Sequence, residues 1–157
     1  VATWPVDDTV VVLGHGAEEI IETIDLGGST IIIDPEWSDG SAAPLRSALD
    51  LASRDRAIDL CVVARGDQPG IDSTIVGSLI DAASNPSIDV AVPKYRYIID
   101  WPVVLDHSVW EHLLGDEGSL NLHSVIASRS LEVSEVWFDH LPPSIYDSFD
   151  DIPRARR

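Results

Sequence analysis

Residues 60–64 read Leu60-Cys61-Val62-Val63-Ala64, apolar throughout with no alternation, and the run stops at Arg65-Gly66-Asp67-Gln68-Pro69. A strand with one wet face alternates. A strand covered on both faces reads as a continuous apolar run, as in a parallel sheet packed between helices. Gly66 offers a turn that other residues resist. Pro69 fixes its own φ and biases Gln68 away from helix. Asp67 is therefore expected at the carboxyl end of a buried strand, the edge where open α/β sheets bind ligands. A carboxylate there suits a hard cation such as Mg²⁺ with nucleotide phosphates. The alternative is a turn aspartate capping the helix that follows.

The same grammar runs along the chain. Thr9-Val10-Val11-Val12-Leu13 is a second apolar run, and Gly14-His15-Gly16 turns it into a segment with Ala17, Ile20, Ile21 and Ile24 at helical spacing. Thr30-Ile31-Ile32-Ile33-Asp34 is a third strand, followed by a loop at 35–40. A helix is expected from Pro44, with Leu45, Ala48, Leu49 and Ala52 as its apolar stripe. After Pro69, Asp72 or Ser73 can cap a helix burying Ile75, Val76, Leu79, Ile80 and Ala83. Residues 89–93 form a short strand, 94–105 a hairpin-like excursion, 107–114 a short helix, and 122–126 mark another. Residues 131–137 alternate, so that strand is half exposed. Strands alternating with helices through short loops predict an α/β, three-layer sandwich around a mostly parallel Rossmann-like sheet.

At 157 residues the chain fits one domain spanning 1–157, with a core supported by 45% apolar residues. No apolar run reaches the roughly 18 residues of a membrane span, and no signal peptide is read. The lone cysteine, Cys61, cannot form an internal disulfide, which favours a reducing, cytoplasmic setting. The net charge is −17, and Lys94 is the single lysine among ten Lys and Arg. That balance argues against nucleic-acid and anionic-membrane partners. Nucleotide phosphates would then need a metal, backbone N–H groups or a few local arginines. Arg65 and Arg96 are the candidates, with surface ion pairs as the competing reading. The five histidines show no metal-ligand spacing, and the tryptophans read as packing residues, except Trp101.

Several of these pieces, taken in order, resemble one family. Residues 10–19 look like the second strand and helix of the molybdenum-cofactor nucleotidyltransferases, and residues 33–49 resemble the next strand, loop and helix, including Asp34. Gly66-Asp67-Gln68-Pro69 resembles the family's metal-binding signature. Pro93-Lys94-Tyr95-Arg96 through Trp101-Pro102-Val103 is similar to its acceptor-side hairpin, with Trp101 at the acceptor mouth. Gly115-Asp116-Glu117-Gly118 is similar to a loop on the pterin side, and residues 145–151 to the closing motif.

The resemblance implies a nucleotide-diphosphosugar transferase type of fold. It also implies a Mg²⁺ site made by Asp67 and Asp147, and transfer of CMP or GMP from CTP or GTP to molybdopterin in molybdenum-cofactor maturation. Gly66, Gln68, Pro69, Asp34, Arg65, Arg96, Trp101 and Asp116 would line the nucleotide and acceptor sites. A molybdoenzyme or maturation factor is the macromolecular partner this implies. The family's opening strand and glycine-rich phosphate loop have no counterpart before Val10, so the sequence reads as N-terminally incomplete. The absent strand would lie between the strands at 10–13 and 60–64, leaving two unpaired edges. Pro44, Asp100-Trp101 and Ile145 depart from the family's Ser, Gly-His and Asp. They keep open a second reading, a catalytically impaired relative that binds a nucleotide, a cofactor or a maturation partner.

Overall fold

The structure is a computed structural model, and it describes residues 3–39, 42–110 and 130–148. Its elements are β1 (Val10–Leu13), α1 (Ala17–Thr23), β2 (Thr30–Ile33), α2 (Ala42–Ala52), β3 (Leu60–Val63), α3 (Ser73–Ala83), β4 (Val90–Tyr95), β5 (Ile98–Ile99), β6 (Val103–Asp106) and β7 (Val133–Phe138). Short 3₁₀ turns follow β2, at Trp37–Asp39, and β6, at His107–Val109.

β1 and β2 pair in parallel as a two-stranded sheet. The second sheet runs β3-β6-β4-β5, with β7 also on β4. β6 is antiparallel to both β3 and β4, and β7 is parallel to β4. It follows that β3, β4 and β7 share one direction, while β6 and the two-residue β5 run against them. The reversal is the 94–105 excursion: β4 turns at Arg96, whose φ is 56°, into β5, and the chain returns as β6.

Side chains alternate across the central sheet and make two cores, giving the three layers that the pattern implies. On one face Leu49 of α2 packs with Val90, Val92, Val103, Leu105, Val109 and Trp110. On the other, Ile75, Leu79 and Ala83 of α3 pack with Ala91, Tyr95 and Val104. β4 has partners on both sides and is the most deeply buried strand. Pro93 is tolerated inside it because the ladder with β5 and β6 skips that position.

Some expectations change. β1 and β3 were read as buried on both faces, yet β3 is only half-buried and Val10, Ile31 and Ile33 are exposed. Among the described residues each of these two strands has a pairing partner on one side only. A continuous apolar run reports which residues favour burial, not which neighbours arrive to cover them. In α1 only Ala17 is buried, Ile21 is exposed, and Ile24 lies beyond the helix. α2 begins at Ala42, ahead of Pro44, which the first helical turn accepts because its N–H groups lack intrahelical partners. The helix expected at 122–126, the loop at 115–118 with Asp116, and the tail beyond 148 lie outside the described residues.

Candidate active site at the carboxyl end of β3

β3 ends at Val63, and the loop that follows carries Arg65, Asp67 and Gln68 to the start of α3. The helix takes its cap from another residue. Asp72 Oδ1 accepts from the backbone N–H groups of Thr74 and Ile75, at 2.9 and 3.0 Å. The capping alternative for Asp67 is thereby removed. Asp67 instead faces Arg65 as a fork. Arg65 Nε donates to Oδ1 at 2.8 Å, and Nη2 donates to Oδ2. The hydrogen bond from Arg65, aided by its charge against the opposing effect of burial, holds the Asp67 carboxyl below the usual carboxylate range. Arg65 is held still more firmly in its charged form, first by the Asp67 hydrogen bond and then by the charges of Asp67, Asp147 and Asp100.

Three remote segments meet this loop. Tyr146 N donates to the backbone oxygen of Asp67 at 2.9 Å, which sets Asp147 beside the loop. Gln68 is buried, and its Nε2 lies 3.4 Å from both Asp100 Oδ2 and the Pro143 carbonyl. Gln68 Oε1 is buried without a hydrogen-bond partner. Gly70 approaches Pro143 so closely that a Cβ there would lie 3.2 Å from the proline's. From the N-terminal side, Trp4 Nε1 donates to the Ile71 carbonyl at 3.2 Å. The hairpin, the closing segment and the β3–α3 loop thus meet, and Asp100 and Asp147 act through their charge on the guanidinium that Asp67 binds.

Other expected residues lie elsewhere or in other roles. Gly66 does not adopt the left-handed backbone, and a Cβ on it would meet nothing within 4 Å, so its turn does not require glycine. Pro69 is exposed on the loop. Arg96 pairs with Asp139 at 3.3 Å on the surface, which is the ion-pair alternative. Trp101 is partly buried against the α2-side core, and its carbonyl accepts from Tyr95 Oη at 3.0 Å. Its peptide bond to Pro102 is cis. Asp34 directly follows β2 of the other sheet and is buried. Its Oδ1 accepts from Glu36 N at 2.9 Å, and its Oδ2 has no hydrogen-bond partner. Beside it, Trp37 lies so close to Gly14 that a Cβ there would be 2.6 Å from the tryptophan Cβ. Asp100 is the residue the sequence reading passed over as a site member. Its signal was available, a carboxylate placed directly before Trp101-Pro102 in the hairpin.

Comparison with known proteins gives the class of the chain. The chain belongs to the MobA-like NTP transferase domain family, whose model matches residues 1–133. Membership makes it a nucleotidyltransferase by class. The homolog of Mycobacterium tuberculosis Rv0371c from Mycobacterium sp. strain JC1 is 30% identical, with a TM-score of 0.82 over 96% of this chain and 74% of that one. Rv0371c of M. tuberculosis H37Rv, solved as a complex with manganese, is 23% identical, with a TM-score of 0.79 over 96% and 77%. Molybdopterin-guanine dinucleotide biosynthesis protein A of Archaeoglobus fulgidus is 20% identical, with a TM-score of 0.57 over 82% and 63%. No curated protein matches the chain. Among the described residues no helix is long and apolar enough to cross a membrane.

Proposed function

We propose that the protein transfers a nucleotidyl group from CTP or GTP to the phosphate of a molybdopterin-type acceptor, in cytoplasmic molybdenum-cofactor maturation. The observation that carries this reading is the meeting of the loop at Asp67 with the segment carrying Asp147 around Arg65.

The donor set fits a divalent cation. Two hard carboxylates stand by the loop after β3, and a guanidinium already occupies the place of positive charge. Mg²⁺ binds through one or two carboxylates and completes its shell with water and phosphate oxygens. The manganese complex of the related M. tuberculosis protein is in keeping with use of a divalent ion. Asp67 and Asp147 would hold the ion, which when bound offsets charge on the triphosphate.

The acceptor phosphate oxygen forms its bond to the α-phosphorus as the α–β bridge breaks and pyrophosphate leaves, with no covalent enzyme intermediate. The chain's part is positioning. Gln68 ties the hairpin and the closing segment to the loop. The Asp72 cap fixes where the loop enters α3. Arg65 is the cation at hand for phosphate oxygens, and the partnerless Oδ2 of buried Asp34 is an acceptor for a donor on the nucleoside. Pro69 restricts the backbone of the loop, while Trp101 and Arg96 lie in the hairpin assigned to the acceptor side.

The test is pyrophosphate release with CTP, GTP and molybdopterin in Mg²⁺ or Mn²⁺. Asp67→Asn is expected to slow it at least about hundredfold, the scale of losing a principal electrostatic contact. An unchanged rate in that variant contradicts the assignment. Tight nucleotide binding without turnover in the unaltered chain supports the binding-only reading instead.

A further inference from the structure

Arg65 takes both carboxylate oxygens of Asp67 with a two-pronged fork. Asp147 and Asp100 act on the same guanidinium through their charge. A divalent ion seated on Asp67 must displace that fork or sit against its positive charge, since the two cations seek the same oxygens. The cluster does not need Arg65 to hold together. The Tyr146 N to Asp67 O hydrogen bond brings in the closing segment, and Gln68 joins Asp100 to Pro143. Arg65 itself is exposed at the strand end, outside both cores.

We infer that Arg65 is a placeholder cation: it competes with free divalent metal for Asp67, and it is handed over to the phosphates when the metal arrives as a metal–triphosphate complex. The chemistry favours the handover. A guanidinium fork matches phosphate oxygens as well as it matches a carboxylate, and the arriving triphosphate brings more negative charge than the contact it replaces. The site would thus reject the bare ion and admit the loaded nucleotide. Among the described ion pairs Arg65 is the cation on Asp67, while Lys94 pairs with Glu135 and Arg96 with Asp139. The inference rests on Asp67 being a metal ligand, as proposed above.

Calorimetric titration of the full chain with Mn²⁺ alone, and with Mn²⁺ plus inorganic tripolyphosphate, tests it without any turnover. Arg65→Gln is expected to bind Mn²⁺ about tenfold tighter, the scale of removing one nearby charge from a partly exposed site, and to bind Mn²⁺–tripolyphosphate about tenfold more weakly. Arg65→Lys keeps the charge and is expected to stay near the unaltered protein for Mn²⁺ alone. Arg54→Gln, which removes a surface charge paired only with Asp50, is the control and should leave both affinities within about twofold. Opposite shifts from one substitution are not the result of a loosened fold. If Arg65→Gln binds Mn²⁺ no tighter, or loses nothing toward Mn²⁺–tripolyphosphate, the exchange is wrong. If Asp67→Asn then still abolishes Mn²⁺ binding, the metal assignment survives alone. If the opposite shifts appear and CTP and GTP are not turned over, the exchange stands and the proposed reaction falls.

Discussion

Asp67 and Asp72 lie in one loop and have separate duties. Asp72 satisfies two N–H groups at the start of α3, so Asp72→Ala should cost about 1 kcal/mol and lower the thermal midpoint. A melting curve checks this, and an unchanged midpoint would mean that another group caps the helix. Asp67 contributes to stability mainly through Arg65, and both side chains are partly exposed, so the pair is worth at most about 1 kcal/mol. The sign follows from the lowered carboxyl. The contribution is complete above the ordinary carboxylate pKa of about 4 and fades as the pH falls through the depressed folded value. Urea midpoints of the unaltered chain and Asp67→Asn should therefore differ most near neutrality and converge as the pH falls through the depressed folded value. A gap that persists in acid would show that Arg65 is not its source. Cys61 has a quieter role. Burial pushes its thiol up to about 11, so it stays neutral and packs on the α2-side core.

At the scale of elements, legibility depends on whether a pattern is local. The α3 helix was readable because its cap, Asp72, and its buried face at Ile75, Val76, Leu79 and Ala83 are written within one short segment. β7 was readable because exposure alternates along it from Ser134 to Phe138. The edges were not. The apolar runs of β1 and β3 resemble that of β4, yet only β4 receives ladders on both sides, and pairing partners are a property of distant segments. The α1 stripe misled for the same reason, since helical spacing at Ile21 does not supply a surface to cover it. Where cover does arrive, the energetics are ordinary. Leu49 is fully buried between α2 and the sheet, so Leu49→Ala should cost about 2–5 kcal/mol by denaturant titration. A loss under about 1 kcal/mol would mean that the α2-side core is looser than its burial indicates.

The molecule as a whole carries a net charge of −17, and at the end of β3 the charges of Asp67, Asp100 and Asp147 act on Arg65. Such a surface needs cations before it can receive a triphosphate, which gives both the metal and Arg65 their places in the account. The order of motifs along the chain was enough to read the fold class, and it put Asp67 and Asp147 forward as candidate carboxylates. What the order did not reveal is the company they keep. Asp100 reaches Gln68 only because β4, β5 and β6 fold the hairpin back over the loop, and Tyr146 reaches Asp67 through its backbone, where residue type leaves no mark. The most direct measurement is the anomalous scattering of Mn²⁺ in crystals grown with inorganic tripolyphosphate. The account predicts one peak in contact with the carboxylates of both Asp67 and Asp147, with Arg65 turned from Asp67 onto phosphate oxygens. A peak remote from either carboxylate, or an Arg65–Asp67 fork left intact beside bound metal, would contradict it.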